Sequence, residues 1–357
     1  MNKGIKVSPF GLGLTYAGCF FGAGYISGKE LFEFFGSFGV QGFVGLILSN
    51  ILFFIFGVLL LKNVKLSGKT SFDEVIILKN MPIARFLLGF MTIFMMFGIF
   101  VVMAAGAGAL LNKVLNIPTF FGCLIFILIC CFAALFGIGG AIKFFSAIIP
   151  VLLLSTLTIC AFSLCKFGLN IDNKVSNDNP LLINWFFSAF TYVSYNMVTL
   201  IGTMIPVGTK VNDNKTIFSG IAIGCLTALS IAGGILLTVT SVFGASNEEL
   251  PMLEIAFKVN NIFGYVYAVL LLLAMFGTSL SSIVAINVYT EEKKFITKKR
   301  IPLITFAVGI LAFIGSFFGF GNLVNTVYPI FGYIGFIILF IIIYNNIVLK
   351  MKHKNGT

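Results

Sequence analysis

The residues most able to do chemistry in this chain lie close together near its N-terminus. Lys29, Glu30 and Glu33 are the only charged residues inside a predicted membrane span rather than at its ends, and charges in hydrocarbon are costly and usually functional. Glu30 follows Ser27 by three residues, the capping-box spacing that satisfies free N–H groups at a helix N-terminus. Glu30 is therefore expected to cap its helix, to neutralise Lys29 or to bind a proton, and Lys29 to pair with Glu33 four residues on. Alternatively, the segment lies in a water-filled vestibule, where charges cost little.

A helix start inside a membrane-length apolar segment indicates that the segment is broken. The apolar run extends from Pro9 to Phe35, and Gly22-Ala23-Gly24 precedes Ser27. Glycine lowers the cost of leaving helical geometry, so we predict two half-helices with a break near 22–27. In lipid a break is tolerated only where it lines a cavity or is buried in protein, and such breaks are typical of transporter binding sites. The alternative is that the glycines only let neighbouring helices pack closely.

The two ends of such a break have opposite polarity. The outer half-helix presents free N–H groups and a partial positive charge, which suit the carboxylate of a solute. The inner half-helix ends near Cys19 to Gly22 and presents free carbonyl groups, which suit a cation such as Na⁺.

Two further apolar segments carry polar side chains at their centres. The predicted sixth span contains Thr191, Tyr192, Ser194, Tyr195, Asn196 and Thr199, and the eighth contains Thr278, Ser279, Ser281 and Ser282. The first set is expected either to shape a pocket for a small polar ligand or to hydrogen bond between helices. In the second set, the hydroxyls at 278, 281 and 282 share a helical face. They are either hard oxygen ligands for a cation or bond back to their own helix.

The composition makes lipid the solvent of this chain. Of 357 residues, 59% are apolar and only 10% are charged, with a mean hydropathy of +1.08, so we predict one all-α integral-membrane domain over 1–357. The net charge of +11 is attributed to basic cytoplasmic loops rather than to nucleic-acid binding. The seven cysteines fall in or next to apolar segments, and His353 is the only histidine. Neither a disulfide framework, a His-based metal site nor a catalytic triad is expected.

Ten membrane spans are predicted, at 9–36, 40–62, 85–111, 118–137, 142–165, 181–206, 216–243, 262–290, 301–319 and 324–349. The first is interpreted as a retained helix rather than a signal peptide, and Gly139-Gly140 as the turn between the fourth and fifth. With a cytoplasmic N-terminus, 18 Lys and Arg residues fall inside and only four outside. The outer segment from Ser246 to Asn260 has a cap pattern at Ser246 and Glu249. It is either a short surface helix or lid, or a solvated loop.

The motif Gly22-Ala23-Gly24-Tyr25-x-Ser27-Gly28-Lys29-Glu30, with Thr15-Tyr16 before it and Phe34-Phe35 after it, resembles the start of the YkvI-type membrane proteins. Tyr195-Asn196-Met197 and Tyr328-Pro329-Ile330-Phe331-Gly332 are also similar to that family, and the resemblance extends over essentially the whole chain. The family belongs to the amino acid–polyamine–organocation superfamily, which has the LeuT-like fold. This chain departs from the family at Lys29, where Gln is usual.

The resemblance implies a five-plus-five inverted repeat, about 9–165 and 181–349, with a cytoplasmic tail at 350–357. It implies broken first and sixth helices, with the solute bound between the two breaks. In sodium-coupled relatives one ion lies between spans one and eight. The matching positions here are the carbonyls of Cys19 and Gly22 and the hydroxyls of Thr278, Ser281 and Ser282. Some proton-coupled relatives use a mid-membrane Lys of span five instead. This chain has only Lys143, at the cytoplasmic end of that span, which favours Na⁺.

The function predicted is secondary active transport of a small zwitterionic solute, an amino acid, driven by Na⁺ or H⁺ across a bacterial-type plasma membrane, with both termini cytoplasmic. The substrate site is predicted at Gly22, Ala23, Gly24, Tyr25, Ser27, Glu30, Tyr192, Tyr195 and Asn196. The alternative is a receptor of the same fold that binds such a solute without moving it. No cofactor is expected beyond Na⁺ as a coupling ion. The expected partners are the solute and the lipid bilayer, and the sequence leaves the oligomeric state open.

Overall fold

The computed structural model describes residues 7–69, 72–78, 81–135, 138–171, 179–211, 213–243, 248–292 and 298–354. Within them lie fourteen α-helices: α1 Pro9–Gly18, α2 Ala23–Ser27, α3 Lys29–Phe34, α4 Val40–Ser67, α5 Phe72–Ile76, α6 Pro82–Leu115, α7 Thr119–Ala134, α8 Ile138–Phe167, α9 Trp185–Gly208, α10 Asn214–Phe243, α11 Pro251–Val259, α12 Asn261–Glu292, α13 Ile301–Ser316 and α14 Phe320–Lys354. Short 3₁₀ turns at Gly36–Phe38 and Lys298–Arg300 precede α4 and α13.

Six of the described helices are long and apolar enough to cross a bilayer: α4, α6, α10, α12, α14 and the part of α8 from Pro150 to Phe167. The apolar helices α7 and α13 are shorter, at 16 residues each. Large apolar side chains are exposed on the outer faces, including Leu303 at 70% and Ile310 at 63%. These are the features of a multi-pass membrane protein. The ten-span topology, the inverted repeat and the orientation of the termini stay predictions.

The predicted turn between the fourth and fifth spans is misplaced. The helix α7 ends at Ala134 and α8 begins at Ile138, so Gly139 and Gly140 lie in the first turn of α8. Two glycines in sequence weaken a helix but do not end one when the flanking residues are helical.

The predicted break in the sixth span is wrong, because α9 is continuous from Trp185 to Gly208. Three of its polar side chains, Thr191, Asn196 and Thr199, bond back to the same helix instead of opening it. The hydroxyl of Thr191 donates to the Phe187 carbonyl (2.8 Å), and the amide of Asn196 donates to the Tyr192 carbonyl (3.0 Å). This pattern leaves the main-chain ladder intact, so the polar run marks a helix face rather than an interruption.

The first helix packs closely on one neighbour, and further helix pairs also pack tightly. The helix α1 packs on α10, where a Cβ atom on Gly13 would lie 2.9 Å from the Gly220 carbonyl oxygen. The close packing that glycine permits therefore occurs at Gly13. The helix α9 packs between α4 and α14, and α12 packs on α6.

A short helix covers part of the outer segment that the sequence left undecided between helix and loop. The helix α11 is amphipathic, and Met252, Leu253, Ile255 and Ala256 on it are fully buried. It packs against α2, α8, α10 and α12. The helix alternative is thus confirmed. The cap predicted at Ser246 lies outside the described residues, and the helix begins after Leu250 without a side-chain cap.

Candidate functional site

The first span is interrupted at residues 19–22, slightly before the predicted 22–27. The helix α1 ends at Gly18, and the Cys19 N–H still bonds to the carbonyls of Thr15 and Tyr16. Gly22 is extended, with φ −78° and ψ 170°, and its N–H bonds to the Phe20 carbonyl (2.7 Å). Ala23 begins α2, and Ile26 is the first residue to bond back, to the Gly22 carbonyl. The N–H groups of the first turn therefore have no partner within the helix.

The predicted capping box is not formed. Ser27 ends α2, and its hydroxyl donates to the Gly24 carbonyl (3.0 Å) while accepting from the Lys29 N–H (3.3 Å). Gly28 follows in the left-handed region, with φ +81°, and is the residue immediately before α3. The side chain of Glu30 does not return to Ser27, because it bonds to Tyr195 on α9 instead. The outer half of the first span thus consists of two short helices, α2 and α3.

The Glu30 carboxyl group is the centre of a buried tyrosine cluster, which we define as Tyr25, Tyr192, Tyr195 and Tyr328. Glu30 is 4% exposed, and the hydroxyl of Tyr195 donates to its Oε1 atom. The rings of Tyr195 and Tyr328 are stacked, with centroids 5.0 Å apart and planes at 15°. The tyrosine cluster joins α2, α9 and α14 around a side chain of α3.

The neighbouring basic residue, Lys29, forms an ion pair with Glu33 and not with Glu30. The Nζ atom of Lys29 lies 2.9 Å from Oε1 of Glu33, as the four-residue spacing predicts, and both side chains are largely buried. With its nitrogen turned toward Glu33, the side-chain amide of Asn325 donates to both carboxylate oxygens, at 3.1 and 3.2 Å. The vestibule alternative is therefore wrong for Lys29, whose side chain is 5% exposed.

Energetics oppose a charged Glu30 in this arrangement. Burying a carboxylate without a cationic partner costs on the order of several kcal/mol. The positive end of a helix returns at most about 1 kcal/mol for an exposed group and about 2 kcal/mol in partly buried sites. Since α3 has only six residues, its contribution is at the low end. The neutral acid is consequently the favoured form here.

The remaining predicted pocket residues of α9 differ in their placement. Tyr192 lies beside Phe34, with ring centroids 5.3 Å apart, and its buried hydroxyl has no hydrogen-bond partner among the described residues. The Asn196 amide is turned back to its own helix. The hydroxyl of Ser194 donates to the Gly332 carbonyl on α14 (2.6 Å) and joins two helices instead of lining a pocket.

A small cavity lies between the break and α4. It is lined by Phe20, Leu46, Phe53, Ala228, Leu229 and Ala232 together with the polar residues Tyr25, Ser49, Asn50 and Tyr192, and its volume of about 10 Å³ accommodates one water molecule. The hydroxyl of Tyr25 donates to the Ala228 carbonyl (2.5 Å) at its edge. Asn50 was missed by the sequence analysis. An amide in the middle of an apolar span was the available signal, since polar groups in hydrocarbon mark functional paths.

Two of the α12 hydroxyls predicted to bind Na⁺ bond back to their own helix, and the Na⁺ site itself stays a prediction. The Thr278 hydroxyl donates to the Ala274 carbonyl (3.1 Å), and the Ser282 hydroxyl to the Thr278 carbonyl (3.0 Å). Donating leaves their oxygen lone pairs free for a cation. Ser281 is exposed, whereas Thr278 is partly buried and Ser282 is buried, so the assignment of Ser281 has no support in the structure. The helix α12 reaches the first span through Tyr267, whose hydroxyl donates to the Ile26 carbonyl (2.7 Å).

Two curated proteins of Bacillus subtilis (strain 168) are similar to the chain over nearly its full length. One is described as the uncharacterized membrane protein YkvI and is 27% identical over 332 residues, covering 92% of this chain and 93% of that protein. The other, the uncharacterized protein YyaD, is 23% identical over 350 residues, with 95% and 97% covered. No protein-family model matches the chain.

Solved structures of transporters have the same fold. MhsT in complex with L-phenylalanine superposes with a TM-score of 0.65 at 14% identity, covering 92% of this chain and 87% of that one. The manganese transporter of Eremococcus coleocola gives 0.62 at 13% identity, covering 96% and 86%. Mhp1, a nucleobase-cation-symport-1 family transporter with bromovinylhydantoin bound, gives 0.62 at 14%, covering 91% and 75%. The chain therefore has the LeuT fold of these transporters.

Proposed function

We propose that the chain is a secondary active transporter that moves a small zwitterionic solute, an amino acid, across the plasma membrane by alternating access. Coupling is to Na⁺ or H⁺. The observation that carries the proposal is the interrupted first span beside a buried carboxyl group and four buried tyrosines. Membership of the YkvI-type family of the amino acid–polyamine–organocation superfamily is part of the proposal. It is supported by the similarity to YkvI and by the shared fold.

The solute is proposed to lie at the interruption. Its carboxylate is proposed to bind at Gly22 to Tyr25 through the free N–H groups of Ala23, Gly24 and Tyr25, since helix N-termini favour anions, whereas the Gly22 N–H is already bonded to the Phe20 carbonyl. Glu30, which contacts the start of α2 at Gly24, and Tyr192 and Tyr195 form the adjoining wall. Ser27 and Asn196 are proposed to contribute indirectly. Their side chains hydrogen bond to main-chain carbonyls of their own helices and so stabilise the backbone that carries this wall. A zwitterion suits the site because the helix end attracts its carboxylate, and the oxygen atoms of Glu30 and the nearby tyrosines can accept hydrogen bonds from its ammonium group.

A sodium ion, if it drives transport, is proposed to bind the carbonyls of Cys19 and Gly22 and the hydroxyls of Thr278 and Ser282. The Cys19 carbonyl lies just past the end of α1, where main-chain carbonyls lack partners within the helix. The Gly22 carbonyl already accepts from the Ile26 N–H (3.1 Å) and offers a cation only its second lone pair. The Cys19 thiol donates to the Thr15 carbonyl (3.2 Å), so the thiol does not occupy the Cys19 carbonyl.

A binding screen tests the substrate class. The full-length protein in lipid nanodiscs is melted with each of the protein amino acids, with and without Na⁺. A ligand at 100 times its Kd stabilises the native state by about 2.7 kcal/mol. We expect one chemical group of amino acids to raise the melting temperature, and ethanolamine, which lacks the carboxylate, to have no effect. Equal stabilisation by ethanolamine would contradict the carboxylate site.

A flux measurement then separates transport from sensing. The amino acid that stabilises most is offered, radiolabelled, to proteoliposomes loaded with the same unlabelled amino acid. Transporters exchange the two pools, whereas a receptor of the same fold binds without exchange. Binding with no exchange above that of protein-free liposomes would establish the receptor alternative.

A further inference from the structure

We propose that Glu30 binds the proton that is coupled to transport, carrying it in the buried conformation and releasing it when the site opens to water. This inference rests on the proposed transport function and names its coupling ion. In the release step the carboxyl O–H bond breaks, the electron pair stays on the carboxylate, and the proton passes to a water molecule. The reverse step on the other side of the membrane reloads the site.

Among the described residues, the surroundings of Glu30 contain hydroxyl groups and no cationic side chain. The titratable groups that face it are Tyr25 on α2, Tyr192 and Tyr195 on α9, and Tyr328 on α14. No Lys or Arg contacts Glu30 in the part of the chain that the structure describes, since Lys29 is paired with Glu33. A carboxyl group that is 4% exposed in such surroundings is most stable as the neutral acid.

The tyrosines suit a group that gains and loses a proton. The Tyr195 hydroxyl donates to Oε1 of Glu30, a bond that exists with either the acid or the carboxylate as acceptor. The protonated acid has an additional O–H group that needs an acceptor. The hydroxyl of Tyr192, which lies in the same tyrosine cluster and has no hydrogen-bond partner among the described residues, is available to accept it.

The position of Glu30 explains how a proton and a solute would bind together. Its Oε2 atom lies 2.5 Å from the place where a Cβ atom on Gly24 would stand, so the carboxyl group contacts the start of α2. A solute carboxylate at the N–H groups there is repelled by an ionised Glu30 and is tolerated by the neutral acid. Protonation therefore favours solute binding and, by linkage, solute binding favours protonation.

Infrared spectroscopy tests the proton site without any solute. The full-length protein in nanodiscs is titrated, and the C=O stretching band of a protonated carboxylic acid is followed. We expect a band at neutral pH that Glu30→Gln removes. Glu74→Gln, which alters a half-exposed carboxylate paired with Lys69 and Arg85, should retain the band. No band in the wild type, or an undiminished band in Glu30→Gln, would overturn the proposal.

Gradient-driven uptake tests the coupling. Proteoliposomes receive a radiolabelled mixture of the protein amino acids under an inward proton gradient of one pH unit or an inward Na⁺ gradient at equal pH. At one proton per solute, the proton gradient supports up to about tenfold accumulation. We expect accumulation with the proton gradient, its loss in Glu30→Gln and its retention in Glu74→Gln. Accumulation driven by Na⁺ alone, unchanged in Glu30→Gln, would overturn the proposal.

A wild type that neither accumulates nor exchanges solute refutes the transport function, and the infrared result still decides whether Glu30 holds a proton.

Discussion

Gly24 and Glu30 are packed so closely that no larger residue fits at position 24. A Cβ atom on Gly24 would lie 2.5 Å from Oε2 of Glu30 and 3.2 Å from Cε2 of Tyr328. The backbone at Gly24 is helical, which any residue can adopt. Glycine is therefore needed at this position because there is no space for a side chain, and not because of an unusual backbone conformation. The contact holds the carboxyl group against the start of α2, where the proposed solute binds.

Substitution of Gly24 should therefore impair transport before it impairs folding. Gly24→Ala must displace Glu30 from Tyr195, and such overpacking costs about 1–3 kcal/mol. If this cost falls on the solute-binding conformation, uptake into proteoliposomes drops by about 5- to 150-fold. Gly24→Leu should abolish uptake while membrane insertion, followed by the amount of purified monodisperse protein, is largely intact.

The matched control for Gly24→Ala is Gly202→Ala on α9. Gly202 is exposed, and a Cβ atom there would meet nothing within 4 Å. Uptake by Gly202→Ala is expected to equal that of the wild type. Wild-type uptake by Gly24→Leu would count decisively against a solute site at the start of α2.

Tyr195→Phe measures the charge state of Glu30 in the resting protein. The variant keeps the ring stack on Tyr328 and loses only the hydroxyl that donates to Glu30. A hydrogen bond between neutral groups contributes about 0.5–1.5 kcal/mol, and one to a charged group about 1.5–3 kcal/mol. With a neutral Glu30, we expect the lower range in the free energy of unfolding, measured in mixed micelles at neutral pH.

Tyr265→Phe is the control for this measurement. Tyr265 on α12 is 56% exposed and contacts Phe257 through its ring, which the substitution keeps. No change in unfolding free energy is expected there. A loss of about 3 kcal/mol in Tyr195→Phe would indicate an ionised Glu30 and would contradict the neutral acid.

Local patterns in the sequence predicted some parts of the site because the underlying interactions are local. The pairing of Lys29 with Glu33 follows from their positions one helical turn apart. The interruption of the first span follows from glycines and a helix start within an apolar run, although it lies at 19–22 rather than 22–27. Neighbouring residues determined both features, so spacing alone was informative.

The capping-box prediction is wrong because a residue distant in the sequence competes for the side chain of Glu30. Tyr195 is 165 positions away from Glu30 in the sequence, and its hydroxyl outcompetes the main chain at Ser27. The predicted break in the sixth span is wrong for the opposite reason. The side chains of Thr191, Asn196 and Thr199 bond to carbonyl groups within one helical turn, so they leave α9 unbroken. Sequence patterns alone do not show which hydrogen-bond partner of a buried polar group prevails.

Removing one partner of the pair between Lys29 and Glu33 should destabilise the protein more than removing both. Lys29→Met leaves Glu33 with the Asn325 amide but without a cation, and breaking a buried ion pair in this way costs about 3–5 kcal/mol. In the double variant Lys29→Met/Glu33→Leu, most of this loss should be recovered. A double-mutant cycle of unfolding free energies measures the difference. Equal stability of the single and double variants would show that water reaches this pair.

Gly28 and Gly68 provide the sharpest test of the packing around the outer half of the first span. Both have positive φ, +81° and +64°, which an L-residue adopts at a cost of about 1–2 kcal/mol. A Cβ atom on Gly28 would lie 2.9 Å from Cγ2 of Val239 on α10 and 3.1 Å from Cγ of Met252 on the short helix α11, whereas one on Gly68 would meet nothing within 4 Å.

Gly68→Ala should therefore cost only the backbone strain. Gly28→Ala should cost a further 1–3 kcal/mol or so, because α11 must shift to make room. Unfolding free energies of the two variants give this difference directly, and equal losses would mean that α11 does not rest on Gly28.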